Sequence, residues 1–153
     1  MTPSVRLRSV EDDDVEAFFD HQADPQAVDM AAFPARDRHQ FDAHWARLRG
    51  DDTLIVRTID ADGQVAGNIG SWQENGQQFL GYWIGREFWG RGVASQALAL
   101  LMDEMSTRPL HAHVVKHNVG SIRVLEKCGF RLDDAEEPAV GNGNEELLYV
   151  LDA

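Results

Sequence analysis

The sequence predicts an α/β (α+β mixed) layer fold with a mixed sheet, on two observations. Three consecutive strand signals joined by tight turns occupy the first half, and a strand, helix, strand, helix, strand alternation occupies the second. Strands joined by tight turns pair antiparallel, whereas strands separated by helices can lie parallel, so one sheet holds both kinds of pairing. At 153 residues the chain has the size of one ordinary domain, and we read residues 1–153 as a single unit without repeats, low-complexity tracts or an interdomain linker.

Residues 5–8 alternate apolar and charged side chains and predict a short strand. Ser9, three residues before Asp12, opens a helix with an acidic first turn that buries Val15, Phe18 and Phe19. A loop containing Pro25 and Pro34 follows. Asp37 then caps a second helix whose Phe41, Trp45 and Leu48 recur at i, i+4, i+7 before Gly50 ends it. Strands are expected over 54–59, 64–72 and 78–84, with turns at Asp62-Gly63 and Asn75-Gly76. Ala94, Ala97, Leu98, Leu101, Met102 and Met105 form the stripe of a long amphipathic helix. Residues 110–115 alternate as a strand. Asn118 caps a further helix carrying Ile122, Leu125 and Cys128, and Gly129 stops it. Two closing strands, 130–132 and 145–151, flank a polar, glycine-containing loop over 133–144.

Composition narrows the function. A net charge of −12, from 14 basic and 26 acidic side chains, repels nucleic-acid phosphates and favours cationic or amine partners. Apolar runs are far shorter than the ~20 residues a bilayer span needs, so no membrane partner is expected. A single cysteine, Cys128, excludes an internal disulfide and a cysteine-built metal site, so no metal is expected and a reducing, cytoplasmic location is. The sequence leaves oligomeric state open, with a homodimer among the allowed states.

The chemistry concentrates between Ile84 and Ala94, where a strand signal runs through Gly85, Gly90 and Gly92 into the long helix. Backbone N–H groups at such a turn point along the helix dipole and bind anions, and Arg86 and Arg91 add positive charge in an acidic chain. A dinucleotide fingerprint would need glycine or alanine where Ser95 stands, and a nucleoside-triphosphate loop would need Gly-Lys-Ser/Thr, which is missing. The glycines alone are equally compatible with a plain tight turn.

Gly81-Tyr82-Trp83-Ile84 followed by Trp89-Gly90-Arg91-Gly92-Val93-Ala94 resembles the acetyl-coenzyme A signature of the GNAT acetyltransferase superfamily, in its RimJ/RimL-like branch. Downstream, the stretch from Asn118 through Ser121 to Glu126-Lys127-Cys128-Gly129-Phe130 is similar to that family's Asn-x-x-Ser … Glu-Lys-x-Gly-Phe segment. The resemblance implies a largely antiparallel six- to seven-stranded sheet with helices on both faces, and an N-acetyltransferase moving acetyl from acetyl-coenzyme A directly to a primary amine of a protein N-terminus or small molecule. It also implies that Trp83 and Ile84 hold the pantetheine arm, that Arg86, Trp89, Gly90, Arg91, Gly92, Val93 and Ala94 cradle the diphosphate, and that Asn118 and Ser121 assist. The family often has Gln or Arg where Trp89 stands.

By the same resemblance, His113 occupies the position of an acidic base used by some members, and Leu125 replaces a general-acid tyrosine. Water, a substrate group or Tyr82 is left to protonate the thiolate. Phe33, Trp72 and Glu74 are expected at the acceptor, with Met30 adding apolar surface and Asp20, Asp24 and Asp29 receiving a cationic amine. The alternative is a catalytically inactive coenzyme A-binding regulatory module, which Leu125 encourages.

Overall fold

A computed structural model describes residues 3–31, 35–133, 139–141 and 144–152. After β1 (Val5–Arg8) come α1 (Asp12–Ala23), α2 (Pro25–Ala31) and α3 (Arg38–Arg49), then the meander β2 (Ile55–Ala61), β3 (Gln64–Glu74) and β4 (Gln77–Ile84). A turn of 3-10 helix at Arg86–Phe88 leads to α4 (Val93–Glu104), β5 (Leu110–Val115), α5 (Val119–Lys127), β6 (Arg131–Leu132), β7 (Ala139–Gly141) and β8 (Asn144–Leu151). The sheet runs β1-β2-β3-β4-β5-β8-β6, and β7 pairs β8 as an eighth strand. Every pairing is antiparallel except β4 with β5. The mixed, largely antiparallel sheet expected from the sequence is what forms.

Three expectations need correction. The first helix starts at Asp12 rather than at Ser9, because Asp14 reaches back to accept the Glu11 N–H at 2.8 Å. The loop through Pro25 is a helix: proline suits a first helical position, and Asp24 before it accepts from Gln26 N at 3.0 Å. Residues 139–141, expected within a loop, form β7, too short for a strand signal, which pairs β8 at three positions. Elsewhere local chemistry rules: Asp37 accepts from Gln40 N at 2.8 Å to start α3, and both meander turns place two successive residues at positive φ, Asp62 with Gly63 and Asn75 with Gly76.

Alternate residues along β2 divide between two cores. Ile55, Ile59 and Ala61 join a large cluster with Leu98 and Leu101 of α4 and Leu125 of α5, while Val56 packs with Phe18, Phe41 and Trp45 of α1 and α3. Helices therefore cover both faces. On the α1 face, buried Asp14 accepts both Arg8 guanidinium nitrogens, at 2.7 and 2.9 Å, and the Thr58 hydroxyl at 2.8 Å. Burial alone would raise this carboxyl's pKa. The bonds from Arg8, the Glu11 amide and Thr58 outweigh it and hold the pKa below the ordinary 3.8. A depressed carboxyl contributes stability above its unfolded value and loses it as pH falls through the folded one. Asp14→Ala is expected to cost about 2 kcal/mol at pH 7, since it removes the acceptor of a buried hydroxyl and the nearest partner of Arg8, which keeps Asp60 at 3.6 Å. Urea melts at pH 7 and below pH 4 check this: the gap between wild type and variant should close in acid.

Candidate active site

β4 and β5 pair in parallel only at Gln78–Leu110 and Phe79–His111. Beyond Phe79 the strands are held by different neighbours, β4 by β3 and β5 by β8, and a cavity of about 410 Å³ opens there. Tyr82, Trp83 and Ile84 form its β4 wall, α2 contributes Ala27 and Met30, and α5 contributes Asn118, Ser121 and Arg123. The segment from Phe88 through Gly90 and Gly92 to Ser95 forms its mouth.

Two features make the mouth suited to a diphosphate. Gly90 and Gly92 have φ of 74° and 78°, which a side chain would strain, and they turn the chain sharply into α4. No side chain caps α4, whose first backbone bond to its own turn is Gln96 N to Gly92 O, so the preceding amides take no partner from their own helix, and Gly92, Val93, Ala94 and Ser95 line the cavity. The Trp89 indole N–H donates to Ile84 O at 2.9 Å and ties this loop to the end of β4.

The other site residues divide. Asn118 caps α5, accepting from Ser121 N at 3.2 Å, and also lines the cavity. Ser121 Oγ lies 2.6 Å from the Tyr82 hydroxyl, so a β4 phenol meets the start of α5 at the cavity wall. Burial pushes Tyr82 up to about 12, against the smaller opposing effect of the Ser121 bond. Arg86 is diverted into an ion pair with Asp24 at 2.7 Å, and Arg91 lies over the Phe88 ring; neither lines the cavity. Arg123, which sequence reasoning missed, does line it, and its place two residues after Ser121 was the available signal. Arg123→Gln is expected to weaken coenzyme A binding about 10-fold, as loss of one charge-assisted bond would, and the deficit should shrink at high salt in calorimetry.

A second cavity, about 880 Å³, runs on the α1–α3 face over β2, β3 and β4, and it shares Tyr82 and Trp83 with the first. Trp72 lines it, stacked on Phe79 (centroids 6.4 Å apart, 16° between planes) and lying over Gly81. Glu74 lines it too, but at the wrong end for chemistry. Glu74 pairs with Gln77 whereas Asn68 pairs with Trp83, so six residues, about 20 Å of strand, separate Glu74 from the splayed end. Asn68 is the lining residue opposite Trp83 that sequence reasoning missed.

His113 is not brought to either cavity. It stacks on Phe79 at 5.1 Å, with Nδ1 4.0 Å from Glu146, at an exposed position on β5. His21 of α1 stands at the far end of β4, while His111 sits at the last β4–β5 pair. The His21 ring stands 2.7 Å from where a Gly85 Cβ would lie, its Nδ1 is buried without a partner, and burial lowers its pKa. The expected acidic receivers also lie elsewhere: Asp24 holds Arg86, the Asp29 carbonyl receives His117, and none of Asp20, Asp24 and Asp29 lines a cavity. Met30 serves the first cavity rather than the second. Phe33 lies outside the described residues. Cys128 packs between α5 and α4, with burial raising its thiol pKa, and Leu125 is core at 2% exposure.

The model of the acetyltransferase (GNAT) domain matches residues 4–131, and the chain belongs to that family. It is similar to an uncharacterized N-acetyltransferase, p20, of Bacillus licheniformis, 29% identical over 146 residues that cover 85% of this chain and 80% of that one. Among solved structures, the spermidine N-acetyltransferase of Vibrio cholerae, in complex with CoA and spermine, has a similar fold (TM-score 0.82, 14% identity, covering 97% of this chain and 95% of that one). So does Mycobacterium smegmatis RimJ in complex with CoA-disulfide (TM-score 0.77, 23% identity, 97% and 82% covered). Among the described residues no helix is long and apolar enough to cross a membrane.

Proposed function

We propose that this acetyltransferase moves an acetyl group from acetyl-coenzyme A directly to a primary amine, the donor entering the β4–β5 split and the acceptor the groove on the α1–α3 face. One observation carries the reading: the two cavities meet at Tyr82 and Trp83, so a thioester and an amine approaching through separate entrances arrive at the same stretch of β4. The amides ahead of Gln96 and the Arg123 side chain hold the diphosphate, while the end of β4 at Trp83 and Ile84 lines the path of the pantetheine arm. When bound, acetyl-coenzyme A supplies an activated acyl group with a thiol leaving group. Tyr82, kept protonated by burial, donates to the departing sulfur and is reprotonated by the proton the acylated amine releases, which gives the tyrosine role to β4 in place of Leu125 of α5.

The resemblance in the glycine segment and the Asn118 motif further supports a RimJ/RimL-like enzyme acting in the cytoplasm as one catalytic unit, with protein N-termini as an acceptor class. A thiol-release screen with acetyl-coenzyme A over peptides of varied N-terminus, polyamines and aminoglycosides tests this. Transfer to at least one amine class is expected. The buried Leu125 favours one second reading, a binding module without turnover. Coenzyme A binding with no thiol release from any acceptor would establish that reading instead.

A further inference from the structure

Polar groups around the inner end of the acceptor groove mostly serve the protein itself. Asp14 is 2% exposed and committed to Arg8, the Glu11 amide and the Thr58 hydroxyl. Gln22 in the groove wall accepts the Arg36 backbone N–H at 2.8 Å and donates to the Arg36 carbonyl at 3.2 Å. Asn68 is different. It lines the groove at a part-buried position, and its carboxamide makes no hydrogen bond among the described residues.

The register fixes where that carboxamide sits. Asn68 pairs with Thr58 of β2 on one side and with Trp83 of β4 on the other. Residues directly opposed across antiparallel strands share a face of the sheet, with Cβ atoms about 5 Å apart. Thr58 reaches Asp14 of α1, so Asn68 lies on the α1–α3 face beside Trp83, where the two cavities meet. The Trp83 Nε1 is itself buried without a partner. Two opposed polar groups that the protein leaves unsatisfied destabilise the empty groove, and a ligand of complementary chemistry relieves them.

Of the two, only Asn68 offers what an amine needs. An indole N–H is a donor alone, whereas a carboxamide oxygen accepts from an N–H. It also accepts without charge. A carboxylate would favour the ammonium form and hold on the proton that direct transfer must remove, while a neutral oxygen binds an N–H and leaves the nitrogen lone pair for the thioester.

Resting on the acceptor reading above, we propose that Asn68 is the amine-binding residue: its Oδ1 accepts an N–H of the acceptor nitrogen beside Trp83 and aims the lone pair at the acyl carbon. A neutral side chain of β3 thus takes the place of the acidic residues expected to receive the amine.

The test compares Asn68→Leu and Asn68→Asp with the wild type on an Ala-Ala-Ala tripeptide, spermine and benzylamine, with acetyl-coenzyme A as donor. Leucine keeps the shape of asparagine and removes the polar group. Asn68→Leu should lower kcat/KM for the best of these amines by about 10- to 100-fold, as loss of a hydrogen bond and of alignment would. Its coenzyme A affinity should be unchanged and its urea midpoint level or higher, since an unsatisfied polar group has left the groove. Asn68→Asp should move the rising limb of the kcat–pH profile to higher pH, because a carboxylate stabilises the bound ammonium. Asp14 and Arg8, reached through Thr58, and His21 at the far end of β4 are present in all these proteins, so a limb that moves only in Asn68→Asp is the bound amine's. Turnover in Asn68→Leu within about 2-fold of wild type, or an Asn68→Asp limb that stays in place, overturns the proposal. Calorimetry of the same amines against protein saturated with coenzyme A reads the contact without turnover. Weaker amine binding to Asn68→Leu, with no thiol release from the wild type, keeps the contact and removes the transferase reading. Amine heats that the substitution leaves alone remove the contact, and no heat from any of these amines with the wild type removes the acceptor groove along with it.

Discussion

Tyr82→Phe is expected to lower kcat by about 10²- to 10⁴-fold, the range in which a positioned general acid contributes, while coenzyme A affinity stays within a few-fold of wild type. The split between the two readouts separates chemistry from packing. Phenylalanine fills the same space against the core, whereas only the hydroxyl reaches Ser121 at 2.6 Å on the cavity wall. Ser121→Ala removes the partner but leaves the proton donor, so a loss of roughly 10-fold at most should result.

The pH dependence adds a second check. A tyrosine at its ordinary value of 10.0 would be half ionised at pH 10, and an acid role for it would fade there. Tyr82, pushed up by burial to about 12, remains protonated, so kcat should show no fall attributable to this group up to pH 10. The same shift sets the working window for stability. Between 10 and about 12 the unfolded phenol ionises before the folded one, so stability declines as pH rises and rates are best read below that range. Unchanged kcat in Tyr82→Phe would mean that solvent protonates the thiolate, and the acid assignment would fall.

What the sequence made legible was local. The Asp37 cap, the Asn75-Gly76 turn, the α4 stripe and the Asn118 cap each depend on residues within a few positions of one another, and each forms as expected. What it concealed depends on distant partners. Arg86 looks like a phosphate ligand until Asp24 of the α1–α2 junction captures it. His113 occupies the right position in a motif, but β5 leaves β4 after His111 and carries it to the surface. Arg47 and His44 drew no reading, because nothing in a linear pattern shows that α3 lays them along a groove. Tyr82 could be offered as an acid only by elimination, and its meeting with Ser121 is a fact of tertiary structure.

Gly67→Ala should damage coenzyme A binding and turnover, for a reason that also bears on how the split is made. A Cβ on Gly67 would collide with the Trp83 carbonyl oxygen and stand 3.1 Å from Ile84 Cα, both backbone atoms that cannot rotate away. The β4 peptide at Trp83 therefore leans across Gly67, at the point where β4 has parted from β5 and where both cavities meet. A methyl group pushes that peptide out of place, moving the backbone proposed to hold the pantetheine arm. The expected result is at least about 10-fold weaker coenzyme A binding and about 100-fold lower kcat/KM, since small misplacements of a reacting group are costly, with a stability loss of about 1–3 kcal/mol from overpacking. Gly70→Ala is the matched control. Its Cβ would meet the Ile55 carbonyl at 2.8 Å on the β2 side, so it should lose comparable stability while sparing coenzyme A affinity. If both variants bind coenzyme A alike, the lean of Trp83 over Gly67 is a packing detail, and the split owes its shape to something else.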